Sequence, residues 1–150
     1  MIKTAVIGAS GYIGRHLLDK YREQFPQCVG TSYSDRVPHL IPFDIREPDI
    51  EFSCDLESTG HEAAVIASAI PNISYCENQP VDAYEVNVAG TLKLLMNLSK
   101  TSLRIIFLST DYVFDGVQGN FDDNHPTNPS TNYGKHKETI ERAVTELTDN

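Results

Sequence analysis

Gly8, Gly11 and Gly14 lie between a short apolar run and a helical pattern, and that junction limits what this chain can fold into more than any other stretch. Ile2 to Ile7 is rich in apolar and β-branched residues and ends at Gly8, the pattern of a buried strand. From Tyr12 to about Gln24 the apolar Ile13, Leu17, Leu18 and Tyr21 recur at helical spacing, and Pro26 blocks continuation. Glycines at such a strand-to-helix turn have distinct uses. Gly8 permits the tight turn, Gly11 lets backbone approach a pyrophosphate, and Gly14 lets the helix lie close to the strand. The helix N-terminus then points free N–H groups and a partial positive charge at the anion. The stretch Gly8, Ser10, Gly11, Tyr12, Ile13 and Gly14 is therefore the predicted cradle of a dinucleotide. Its spacing, GxxGxxG, is one residue looser at the front than GxGxxG. The competing reading is a turn that needs glycines for geometry alone.

The rest of the chain alternates in the same way. Cys28 to Tyr33 and Leu40 to Phe43 read as the second and third strands, Ala63 to Ala69 as the fourth and Leu103 to Leu108 as the fifth. Pro71 and Asn72 end the fourth strand, and a long helix is expected from Val81 to Lys100. Gly116 to Ser130 is rich in Gly, Asn, Asp and Pro and reads as a loop. A last helix is expected from Thr131 to Leu147. Strands with continuous rather than alternating apolar character point to an α/β doubly wound parallel sheet, covered on both faces, of the Rossmann type. Five strands are fewer than the six usual for such sheets, so the sheet is expected to be incomplete at its C-terminal end.

The end of the second strand often chooses between cofactors. Here Gly30-Thr31-Ser32-Tyr33-Ser34 holds no acid before Asp35. Thr31, Ser32 and Ser34 offer hydroxyls to a 2′-phosphate, and Arg15 or Arg36 offers charge. The expectation is NADP(H) favoured over NAD(H), against the plainer reading of a solvated polar turn.

Tyr133 and Lys137 stand four apart on the last expected helix, and so on one face of it. Reducing a ketone requires a proton as well as a hydride, and a tyrosine can supply the proton. Its pKa is ordinarily about 10, and a nearby cation favours the phenolate that remains. Thr110 follows the fifth strand at its carboxyl end, where ligands bind in such sheets, and its hydroxyl can orient a carbonyl. A bare YxxxK is common on amphipathic helices, so the pair gains meaning only beside the glycine loop. Asp111 and Tyr112, next to Thr110, are candidates to touch a substrate, with a turn-capping role for Asp111 as the rival.

Leu108-Ser109-Thr110-Asp111-Tyr112-Val113-Phe114-Asp115-Gly116, Pro129 with Tyr133-Gly134-Lys135-His136-Lys137, and Glu85-Val86-Asn87-Val88-Ala89-Gly90-Thr91 together resemble the extended short-chain dehydrogenase/reductases, and most closely the dTDP-4-dehydrorhamnose reductase group. The resemblance implies a reductase of a keto nucleotide sugar. In it Thr110 orients the keto oxygen, Tyr133 is the general acid, and Lys137 tunes Tyr133 and binds ribose. Asn87 holds a helix bend and a relay water in the same family, although an asparagine bonding backbone is a nearly equal reading. Asp44 and Ile45 match the position facing adenine, and Ala67, Ser68 and Ala69 the segment that passes against the cofactor. Members of the group are about twice as long, so a C-terminal substrate domain is expected to be missing. The fourth strand also ends in Ala-Ser-Ala-Ile-Pro-Asn rather than the usual turn, so that wall is expected to be shaped differently. Epimerases and dehydratases of the superfamily share the tyrosine and lysine, and a regulatory subunit of methionine adenosyltransferase resembles these reductases without being one.

The net charge of −9 disfavours nucleic acid and anionic membrane surfaces, which attract Lys- and Arg-rich proteins. Cys28, Cys54 and Cys76 are odd in number and unpaired in spacing, which fits a reducing cytoplasm. The five histidines show no metal-ligand spacing, so no metal is expected. No signal peptide or membrane span is read, and a homo-oligomer or a protein partner is anticipated.

Overall fold

The computed structural model describes residues 2–34 and 37–148. Strands β1 (Thr4–Ile7), β2 (Val29–Ser32), β3 (Ile41–Pro42), β4 (Ala63–Ile66) and β5 (Arg104–Phe107) form one parallel sheet in the order β3-β2-β1-β4-β5. The order reverses between β1 and β4, and such a switch point opens a crevice at the carboxyl ends of the two strands. β1 and β4 are in register from Thr4 opposite Ala63 to Ile7 opposite Ile66. Both strands are buried throughout, which is why their sequences are apolar except for Thr4, whose hydroxyl bonds Ile2 O.

Successive side chains divide between the two faces. Ala5, Ile7, Ala64 and Ile66 join a core with Leu56 of α2 (Ile50–Ser58), Leu94, Leu95 and Leu98 of α5 (Thr91–Leu98) and Ile140 of α6 (Asn132–Thr148). On the other face Val6 packs with Leu18 of α1 (Tyr12–Arg22), Ala9 and Cys28. β5 is an edge strand among the described residues, and its Ile105, Ile106 and Phe107 are only half-buried.

Four expectations change. Helix α2 was not foreseen, because its apolar Ile50, Phe52, Cys54 and Leu56 alternate with polar residues rather than recurring at helical spacing. Its start is nonetheless marked in the sequence by Asp49, whose carboxylate caps the Glu51 N–H at 2.9 Å. The fourth strand is shorter than expected: Ala67 still donates to Ile7 O at 2.9 Å, but the chain then leaves the sheet, so Ala67 to Ala69 form its exit turn. The third strand shrinks to two exposed residues.

The helix expected from Val81 to Lys100 is also divided. Short helices α3 (Ile73–Asn78) and α4 (Pro80–Tyr84) lead into a π-helical turn over Glu85–Gly90, and α5 follows. The cause of the widened turn lies in Asn87, whose buried side chain reaches out of the helix to the backbone of Ile70. π-turns of this kind recur at functional sites.

Candidate dinucleotide cleft and the Tyr133 cluster

Gly8 sits at φ +88°, a left-handed backbone that suits glycine, and a Cβ there would lie 2.7 Å from the Ser68 backbone. The glycine loop therefore touches the exit turn of β4. At Gly14 a Cβ would lie 2.3 Å from Gly8 O, so α1 can rest on the loop only with glycine there. Gly11, by contrast, would meet only Gly8 O, at 3.4 Å, and it stands exposed at the N-cap of α1 without a side-chain capping bond. The N–H groups of that first turn are left to face outward.

This turn opens onto a cavity of about 440 Å³ at the sheet's switch point, walled by Gly8, Ser10, Gly11, Asp44, Ile45, Arg46 and the turn from Ala67 to Ile70, with Tyr33 at its rim. Of the expected cofactor contacts, Gly8, Ser10, Gly11, Asp44, Ile45, Ala67, Ser68 and Ala69 come together here. Tyr12 and Ile13 are exposed on α1 beside the loop, and Gly14 is buried beneath it.

The hydroxyls proposed for a 2′-phosphate are placed differently. Thr31 is buried and its hydroxyl accepts from Gly8 N at 3.0 Å, while Ser32 is buried and accepts from Ser34 N at 3.1 Å. Both steady the glycine loop and the end of β2, because polar side chains buried beside a turn bond its backbone. Arg15 is exposed on α1, and Arg36 lies outside the described residues.

The cation at the cavity is instead Arg46, which sequence reasoning missed and which is paired there with Asp44. Its guanidinium grips Asp44 with contacts of 2.6, 2.9 and 3.0 Å, donates to Tyr33 Oη at 2.9 Å and lies 5.1 Å from the centre of that ring. Bonding to Arg46 holds the Asp44 carboxyl below its ordinary value, and the Asp44 carboxylate raises Arg46 in return. The available signal was the Asp44-Ile45-Arg46 triplet, in which Arg46 N also bonds the Asp44 carboxylate at 3.0 Å.

A second group of candidates gathers where α6 meets β5 and α3, and none of them lines the cavity. Lys137 is buried, donates to Leu108 O at 2.7 Å and lies 4.4 Å from the Phe107 ring centre and 5.9 Å from that of Tyr133. Tyr133 meets Tyr112 edge to face at 6.2 Å. Thr110, not Asp111, caps the short turn Asp111–Val113. Its hydroxyl accepts from Tyr112 N at 3.3 Å and donates to the Asp111 carboxylate at 3.2 Å.

Burial raises the Tyr133 phenol, with Cys76 and Asp111 adding to the effect, and burial lowers Lys137 to about 8. The expected lowering of Tyr133 by Lys137 is thus absent from the balance. Desolvation disfavours both charged forms, and the Lys137 ammonium is directed at Leu108 O rather than at the phenol.

Lys137 leads to a stability prediction. Its folded pKa lies below the unfolded value of 10.5, so between about 8 and 10.5 this side chain binds more protons in the unfolded chain. The Lys137 contribution to stability should rise with pH across that window, by at most about 1.4 kcal/mol per pH unit, against the opposite contributions of the raised Cys76 and Tyr133, and Lys137→Met should remove the Lys137 part, leaving a less positive slope than in the parent. Urea melts of both proteins across the window measure the difference.

Asn87 clips both backbone groups of Ile70: its carboxamide oxygen accepts from Ile70 N at 2.7 Å and its Nδ2 donates to Ile70 O at 3.0 Å. It therefore bonds the β4 exit segment rather than its own helix. Cys76, packed beneath, donates to Ile70 O at 3.4 Å. Asn87→Ala is expected to cost about 2 kcal/mol in a urea melt, because Ile70 N loses its partner and Ile70 O keeps only the weak Cys76 thiol. A change below half that value would show that water replaces the clip.

No group of His, Cys, Asp and Glu suited to a metal ion occurs among the described residues, and no described helix is long and apolar enough to cross a membrane.

Parallel sheet, glycine turn and switch-point cavity define a Rossmann-type α/β domain. The chain belongs to the family described as RmlD substrate binding domain, which matches residues 2–150. A dTDP-4-dehydrorhamnose reductase of Streptomyces griseus is 34% identical over 148 residues, covering 95% of this chain and 44% of the relative. Methionine adenosyltransferase 2 subunit beta of Xenopus tropicalis is 26% identical over 142 residues, covering 95% of this chain and 42% of the relative. The crystal structure of a dTDP-4-dehydrorhamnose reductase from Clostridium acetobutylicum superposes with a TM-score of 0.79 at 26% identity, over 97% of this chain and 50% of that one. The chain spans about half the length of the curated relatives it matches.

Proposed function

We propose that residues 1–150 form the NAD(P)-binding domain of a reductase acting on the keto group of a nucleotide sugar, with a dTDP-4-dehydrorhamnose-like sugar as the model substrate. The observation that carries this reading is the cleft. An uncapped helix start, glycines without which two backbones collide, and a cavity at the switch point fit a pyrophosphate and its adenosine. Gly8, Ser10 and Gly11 would hold the phosphates, and Asp44, Ile45 and the Ala67–Ala69 turn the adenosine side.

The bound dinucleotide supplies the hydride. The chain's own residues do the rest. Tyr133, kept neutral by burial, donates its proton to the carbonyl oxygen. Lys137, held by Leu108 O, lies beside the phenol and binds ribose. Thr110 orients the carbonyl, and Asp111 and Tyr112 border the sugar. Within this reading NADP(H) is favoured over NAD(H), supported by Ser32 in place of an acid at the end of β2. Titration with both reduced cofactors tests the preference; tighter NADH binding would reverse it. Loss of nicotinamide absorbance on adding a dTDP-4-keto sugar tests the reaction.

The likeness to a methionine adenosyltransferase subunit supports a second reading, a dinucleotide-binding regulatory module with a protein partner. Stable capture of an adenosyltransferase together with no reduction of any nucleotide sugar would favour it.

A further inference from the structure

His136 stands between Tyr133 and Lys137 in sequence but faces away from them. Its ring is buried, meets Tyr84 edge to face at 5.8 Å, and places Nδ1 3.4 Å from Asn87 Nδ2. The double clip on Ile70 fixes which end of the Asn87 amide is which, since a flipped amide would set N–H against N–H and oxygen against oxygen. One Nδ2 hydrogen goes to Ile70 O. The other is left for His136 Nδ1, with Cys76 Sγ farther off at 3.8 Å. An imidazole nitrogen can accept it only when unprotonated, so the ring must be neutral with its hydrogen on Nε2. Ile70 in turn walls the cleft.

We propose that His136 is a positioning residue: its unprotonated Nδ1 holds the Asn87 amide, the amide holds Ile70, and Ile70 sets the wall of the dinucleotide cleft. Protonation sets two donors against each other and loosens the wall. The charged and titratable groups facing His136 are Glu77 and Cys76 of α3, and Tyr84 and Glu85, which line a shallow surface groove together with His136; Tyr133 and Lys137 of its own helix point elsewhere. Glu77 favours the imidazolium, but its carboxylate is taken up by Asn132, through N at 2.8 Å and Nδ2 at 2.9 Å. Burial outweighs Glu77 and holds the ring below its ordinary range, so the switch acts on the acid side of neutrality.

The ligand arm of this inference rests on the proposed dinucleotide cleft; the contact to Ile70 does not. The test measures two quantities at about pH 7.5 and about pH 5 in the chain and in His136→Gln, which keeps a neutral side chain, with His136→Phe as a second variant. One is the NADPH dissociation constant from fluorescence, and the other is the exchange protection of the Ile70 N–H in the ligand-free protein by NMR. Acidification should weaken NADPH binding about fivefold, the effect of one ordinary hydrogen bond, and lower Ile70 protection by a similar factor. Both changes should disappear in His136→Gln and His136→Phe. Equal pH dependence of Ile70 protection in all three proteins would overturn the proposal. Ile70 protection that follows His136 without any NADPH binding would support the positioning role and remove the cleft assignment.

Discussion

Tyr133→Phe should lower turnover of a keto nucleotide sugar by about 10³-fold, within the range that a positioned acid contributes, and leave dinucleotide affinity nearly unchanged. The substitution removes one oxygen. The ring keeps its edge contact with Tyr112, and nothing in the cavity wall is altered. The loss should therefore fall on kcat, with Kd for NADPH unmoved. Turnover equal to that of the parent would remove Tyr133 from the chemistry, and a matching loss of affinity would mean that the phenol belongs to the binding site instead. Burial adds a check. With the phenol raised above its ordinary value, activity should persist through neutral pH without a fall due to phenolate formation. A Tyr133-dependent fall below pH 8 or so would contradict this account.

Gly14→Val should produce the other large effect. The new Cβ would lie 2.3 Å from Gly8 O and 3.0 Å from Ala9 Cα, and neither backbone atom can yield without moving β1's end or α1. Overpacking of this kind costs about 1–3 kcal/mol. Lifting α1 also takes its N-terminal N–H groups away from the phosphates, so dinucleotide affinity should fall at least tenfold, or about 1.4 kcal/mol. Chemical denaturation and a binding titration read the two effects separately. A parental melt with parental affinity would show that the helix has room that the close approach denies.

The fold was readable because burial leaves a simple trace. After Thr4 and Arg104, β1 and β5 are runs of Ala, Val, Ile and Phe, as is all of β4, and the strand-to-helix turn is punctuated by glycines whose spacing reflects real collisions at Gly8 and Gly14. Helix α2 left no such trace: only Ser53 and Leu56 of its nine residues are buried. The π-turn was hidden for a different reason. It depends on Asn87 bonding Ile70, 17 residues earlier, and no local period encodes that contact. At the cleft, residue type alone misdirected the phosphate-binding hydroxyls. Thr31 and Ser32 are polar because they bond backbone beneath the loop, while the cation at the cavity is Arg46, folded back on Asp44. Tyr133 and Lys137 were correctly expected to share a helix face, but a spacing says nothing of solvent, and it is burial that moves both pKa values.

Gly11 allows binding of a nicotinamide dinucleotide in this cleft to be tested apart from folding. A Cβ there makes only an ordinary contact with Gly8 O at 3.4 Å, and the residue stands exposed where the helix faces the cavity. The decisive measurement is an NADPH titration of the chain and of Gly11→Ala, followed by fluorescence, with thermal melts of both. The expected result is one saturable site per chain, at least tenfold weaker in Gly11→Ala, with closely similar melting temperatures. Failure of the parent chain to bind either NADPH or NADH, or equal affinity in the two proteins, would contradict it.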